Sequence, residues 1–177
     1  MSEKQTILGI DPGLARCGYG IIGYDGHRYT VIDYGVIATS AEDEFSKRLL
    51  EIHQQLDTVV AKYHPSIAGV EELYFCKNVK TALTVGHARG VVLLTLIQAG
   101  IPMFHFTPLQ VKQAVTSYGK ADKRQVQEMV RMILGMKEFP DQDDAADALA
   151  VAITCANSSR FSRFSRADHH HIRSQRT

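Results

Sequence analysis

The chain has 177 residues, the size of one domain, with 45% hydrophobic and 22% charged residues, ordinary proportions for a globular protein with a sizeable core. Twenty Lys and Arg against nineteen Asp and Glu leave a net charge of +1, which excludes a uniformly basic coat as the basis of any nucleic-acid binding. Cys17, Cys76 and Cys155 lie far apart without zinc or disulfide spacing, so a reducing, cytoplasmic setting is expected.

Thr6 to Ile10 (TILGI) is a short apolar run stopped by Asp11-Pro12-Gly13, the pattern of a buried strand and a turn. Gly18 to Tyr24 and Tyr29 to Thr39 are rich in Ile, Val and Tyr and are joined across Asp25-Gly26, a strong hairpin signal. These three runs predict an antiparallel meander. The period then changes: Phe45, Leu49, Ile52, Leu56, Val59 and Tyr63 recur at three- and four-residue spacing, an amphipathic helix with Ser40 and Asp43 as its expected cap and His64-Pro65 as its end. Ile67 to Val70 is a second buried strand ending at Glu71-Glu72. Asn78 to Ala99 predicts a long helix in which Gly86 and Gly90, four apart, point to a close neighbour, either the sheet or a second subunit. The longest apolar stretch, Val91 to Ile97, contains Thr95 and falls short of the ~20 residues of a membrane span, so no membrane partner is expected. Pro102 to Thr107 predicts the last strand. Helices follow near 109–115, 123–134 and 144–156. The chain after Asn157 is polar and basic, without an apolar face. One domain over 1–157 and a disordered basic tail over 158–177 are expected. The element order predicts an α/β fold with a mixed five-stranded sheet, three strands antiparallel and two parallel, flanked by helices.

Charge is unevenly spread. Residues 108–137 carry six bases against two acids, and 138–147 carry five acids and no base. Asp11 ends the first strand, Glu71 the fourth, and Asp144 and Asp147 share one face of the last helix. Carboxyl ends of parallel strands are where open α/β sheets place their sites. Converging carboxylates repel unless a cation sits among them, and hard divalent cations bound to oxygen hydrolyse phosphodiesters. Each acid also has a structural alternative. Asp11 initiates a turn, Glu72 rivals Glu71, and Asp141 and Asp143 join Asp144 and Asp147 in answering a helix dipole. Lys112, Lys120, Lys123 and Arg124, with Lys77, Lys80 and Arg89 upstream, are candidate phosphate contacts, and Tyr74 and Phe75 candidate stacking rings.

Four ordered blocks, ILGIDPG-x4-GYG, GVEELYFCKNVKTALTVGHARG, TPLQVKQAVTSYGKADKRQVQ and DAADALAVAI, together resemble the RuvC family of Holliday-junction resolvases over roughly Ile7 to Ala156. The resemblance implies a ribonuclease-H-like fold and a homodimer. It implies an endonuclease that nicks two opposed strands of a four-way DNA junction and leaves 5′-phosphate and 3′-hydroxyl ends. It implies two Mg²⁺ per subunit, with Mn²⁺ as a substitute, and RuvA and RuvB as partners. By motif it makes Asp11, Glu71 rather than Glu72, Asp144 and Asp147 the catalytic, metal-binding carboxylates. It sets Lys112 and Lys123 near the DNA backbone and Tyr74, with Phe75 beside it, at the junction. Asp143 is an extra acid next to the pair.

Overall fold

The computed structural model describes residues 4–72, 79–138 and 142–173, with side chains for these except at 79, 80 and beyond 158. Among the described residues the elements are β1 (Gln5–Asp11), β2 (Arg16–Tyr24), β3 (Tyr29–Ala38), α1 (Phe45–Tyr63), β4 (Ile67–Glu71), α2 (Val79–Gln98), β5 (Met103–Phe106), α3 (Pro108–Thr116), α4 (Lys123–Leu134) and α5 (Asp143–Arg173). The strands form one sheet in the order β3-β2-β1-β4-β5. β1, β2 and β3 pair antiparallel; β4 runs parallel to β1, and β5 parallel to β4. This is the expected mixed sheet, consistent with a ribonuclease-H-like fold.

β1 is central, and its four residues Ile7 to Ile10 are all buried because both faces of the sheet are covered. The pleat splits them. Leu8 and Ile10 pack with α1 and α2, whereas Ile7 packs with the layer of α3, α4 and α5. α5 is the innermost helix: from Ala145 to Ala156 only Asp147 is not fully buried.

Helix α1 buries Ile52, Leu56 and Val60 at four-residue spacing and ends in a left-handed His64. Its start differs from the expected cap. Glu44 is the N-cap residue and makes no side-chain cap bond. Ser40 is committed to the preceding turn, where its hydroxyl accepts the Glu42 N–H at 3.2 Å.

Helix α2 corrects the reading of its apolar content. Thr81–Gln98 has a mean hydropathy of 1.2, long and apolar enough by length and composition to cross a membrane. Counting unbroken apolar runs misses this because Ala, Gly and Thr interrupt them. One side of α2 buries Ala88, Val92 and Leu96 in the core; the other exposes Leu83, Leu94 and Ile97. A Cβ on Gly90 would meet nothing within 4 Å, so the sheet is not the neighbour that this glycine admits. Helix α5 continues to Arg173, past the helix end expected at Ala156; Ala156 is the last residue of its fully buried run.

Candidate active site

The site begins with a register. Ile10 pairs with Val70, which brings the next residues, Asp11 and Glu71, side by side at the carboxyl ends of β1 and β4. Their carboxyl groups hydrogen-bond to each other. Alternation settles the choice that the sequence leaves open: Ile67 and Gly69 face α5, so Glu71 does too, and Glu72 belongs to the opposite face. Burial, reinforced by the charges of Asp147 and Asp144, raises Asp11 to about 6. Burial, reinforced by Asp11 and Asp147, raises Glu71 to about 8. The pair therefore retains a proton between its two carboxyl groups near neutral pH.

The first turns of α5 are seated against these strand ends by missing side chains. A Cβ on Gly18 would lie 2.0 Å from the Asp144 carbonyl oxygen, and one on Gly9 2.1 Å from that of Ala148. The buried Ala145, Ala146, Ala148 and Ala152 keep the helix equally slim, so helix backbone touches strand backbone. This close packing carries Asp144 and Asp147 to the sheet end.

Cations flank the acids. Lys123, the first residue of α4, is placed by the Asp122–Gln125 capping box. Its ammonium lies 3.1 Å from Asp143 and 3.2 Å from Asp147. Desolvation opposes charge on Lys123, but hydrogen bonds to Asp143 and Asp147 and their charges prevail and raise its pKa. Burial raises Asp147, with Lys123 opposing. Asp143 is exposed, is held by Lys123 and by Gln127 at 2.9 Å, and lies below the usual carboxylate range. Lys112 sits on α3, whose start is fixed by a Thr107–Gln110 capping box. Glu71, Asp147, Lys112 and Lys123 line one cleft of about 220 Å³.

Among the described residues, no three His, Cys, Asp or Glu side chains stand together as a ready metal cage. The reason is visible in the ion pairs. Arg16 Nε holds Asp144 Oδ2 at 2.5 Å, Lys123 holds Asp147, and Asp11 and Glu71 share a proton. The donor chemistry nevertheless fits a hard cation: every donor is carboxylate oxygen, and Asp11, Glu71 and Asp147 are each raised by burial and by neighbouring negative charge.

The chain matches the family described as Crossover junction endodeoxyribonuclease RuvC over residues 7–155. It belongs to the RuvC family. It is 52% identical over 156 residues to the RuvC of Ruminiclostridium cellulolyticum, covering 88% of this chain and 94% of that one. With the RuvC of Roseiflexus sp. it shares 56% identity over 153 residues, covering 86% and 90%. Among solved structures it is similar to Thermus thermophilus RuvC in complex with a Holliday junction substrate, at 36% identity and a TM-score of 0.86, over 89% of this chain and 96% of that one. The yeast mitochondrial Holliday junction resolvase Ydc2, at 14% identity and a TM-score of 0.63, shares the fold. The chain is thus an endonuclease of the RuvC family.

The four acids singled out in the sequence, Asp11, Glu71, Asp144 and Asp147, converge here, with Lys112 and Lys123 beside them. Other expected contacts do not join them. Arg124 lines a separate groove of about 430 Å³ with Tyr118, Glu128 and Met129. Tyr74, Phe75 and Lys77 lie outside the described residues. Arg89, read from sequence as a phosphate contact, is engaged internally: Nε donates to the Glu71 carbonyl oxygen at 3.3 Å and a terminal nitrogen donates to His105 Nδ1 at 3.1 Å. It ties α2 to the ends of β4 and β5. Sequence reasoning missed Arg16, whose only signal is a base inside the spacer of IDPG-x4-GYG.

Proposed function

We propose that this chain resolves four-way DNA junctions as a homodimer, hydrolysing one phosphodiester in each of two opposed strands and leaving 5′-phosphate and 3′-hydroxyl ends. The observation that carries this reading is the meeting of Asp11 and Glu71 beneath Asp144 and Asp147, with Lys112 and Lys123 on the same cleft. Asp11, Glu71, Asp144 and Asp147 would hold two Mg²⁺, or Mn²⁺ in their place. Such ions supply an activated water and charge neutralisation at the leaving oxygen. The Asp11–Glu71 pair keeps a proton while the site is metal-free and would release it for both acids to serve as ligands, so cation affinity is expected to rise with pH. Lys123 exchanges its carboxylate partners for a DNA phosphate, and Lys112 neutralises a second. Tyr74 and Phe75 stack at the junction, and Lys77 and Arg124 hold its arms.

Two-fold symmetry suits a junction cut twice. The dimer contact is assigned to α2, whose exposed Leu83 and Leu94 border a groove of about 500 Å³ lined by Leu49, Gly86 and Gly90. The open space at Gly90 supports a partner helix there. Residues 1–157 form the nuclease domain, with 158–177 a basic tail outside it. RuvA and RuvB are the partners this reading expects, and the cytoplasm its place.

End-labelled four-way junctions incubated with Mg²⁺ or chelator test the reading, with matched duplex and an RNA–DNA hybrid alongside. Paired nicks on opposed junction strands are expected, reduced about a thousand-fold or more in Asp11→Asn while junction binding persists. Junction binding without cutting in any divalent metal overturns it; cutting of the hybrid instead keeps the site and replaces the substrate.

A further inference from the structure

Arg16 stands at the carboxylate cluster and has no assigned part in it. It opens β2, where it pairs with Ala38 of β3 at the sheet end that carries Asp11. β2 and β4 flank β1 on opposite sides. Arg16 therefore borders the acids on the side away from the cleft that Lys112 and Lys123 share with Glu71. Its Nε bonds Asp144 Oδ2, and among the described residues its guanidinium has no other hydrogen bond or close ion pair, though its charge also reaches Asp143. A guanidinium has five N–H donors in a planar fork. One is used here, and the side chain is 46% exposed, so the remaining donors face outward from a carboxylate placed to hold a cation.

Resting on the functional reading above, we infer that Arg16 is a phosphate-binding residue that grips the DNA strand on the side of the acids opposite Lys112 and Lys123. The Nε bond to Asp144 keeps the fork aimed while the other donors take a non-bridging phosphate oxygen. The strand is then held on both sides of the bond to be cut. The backbone torsion that an in-line attack requires is restrained from two directions.

Equilibrium binding to a fixed four-way junction, in chelator and across a salt series, tests this without cleavage. Each phosphate contact contributes about 0.9 to the slope of log affinity against log salt. Arg16→Gln is expected to lower the slope by about that amount and Arg16→Lys to restore it. The same Arg16→Gln change in an Asp144→Asn chain separates contact from charge compensation: a phosphate contact lowers the slope there too. An unchanged slope in Arg16→Gln overturns the inference, as does a change that vanishes in the Asp144→Asn background, where Arg16 would only be screening its acid. Melting curves confirm that each variant is folded. A wild-type chain that binds no junction overturns the functional reading itself, and this inference with it.

Discussion

The two faces of the sheet are packed by different means. Beneath α5 stand Gly9, Gly18, Gly20 and Gly69; at Gly9 and Gly18 the contacts run from strand backbone to helix backbone, and Gly20 and Gly69 receive Leu149, Val151 and Cys155 of the helix. Beneath α1 and α2 stand Leu8, Ile10, Ile21 and Val70, which interleave with Ile52, Leu56 and Leu96. Large side chains bury more area and adapt by changing rotamer. Backbone contacts have no rotamers to adjust. The carboxylates are on the glycine-lined face beneath α5, so Asp144 and Asp147 are fixed relative to Asp11 and Glu71 with few soft torsions between them. The adaptable face has α2 above it and leaves that helix's apolar outer side uncovered.

Substitutions on the two faces should therefore fail in different ways. Gly18→Val drives a side chain into the Asp144 carbonyl and should cut single-turnover cleavage at least about a hundred-fold, because displacements near 1 Å cost this much. Its stability loss, read by urea unfolding, should be about 1–3 kcal/mol. Leu56→Ala, buried against the other face, should lose about 2–5 kcal/mol and leave cleavage per folded molecule nearly intact. Equal losses of cleavage in both would break the comparison.

A smaller effect comes from protons. Asp11 and Glu71 titrate higher in the folded chain than in the unfolded one, so between the ordinary carboxylate range and about 8 the folded state binds more protons. Their contribution to stability is complete below that range and is lost as pH rises through about 6 and then about 8. The metal-free melting temperature should fall across this window, and Asp11→Asn should flatten the fall. A melting temperature that climbs over the same window would contradict the packing of the two acids. The smallest effect is expected at Arg89, which touches Glu71 through its carbonyl alone. Arg89→Met should raise the Mg²⁺ concentration for half-maximal cleavage a few-fold and leave junction affinity unchanged.

Much of this was legible from residues alone. TILGI before Asp-Pro-Gly and the Asp25-Gly26 hairpin carry β1, β2 and β3, and the four-residue spacing from Ile52 carries α1. The strand-end rule found Asp11. It could not separate Glu71 from Glu72, because parity in a doubly covered strand has meaning only once the layer holding α5 is known. Thr107-Pro-Leu-Gln110 and Asp122-Lys-Arg-Gln125 are capping boxes written in the sequence, and they set the starts of α3 and α4. Arg16 could not be read this way, since its partner is 128 residues distant along the chain. The metal-free side chains were equally out of reach: four acids of one motif set are divided between two cations and a shared proton.

The close seating of α5 also turns one cysteine into a clock. The Cys155 Cβ lies 2.9 Å from where Gly69 would carry its own, and burial pushes the thiol up to about 12. Burial shields that sulfur from alkylating reagents and disfavours its thiolate while helix and sheet remain in register. In a chain whose other two cysteines are serine, the labelling rate of Cys155 would count the moments at which α5 lifts from the sheet and the clustered carboxylates part company.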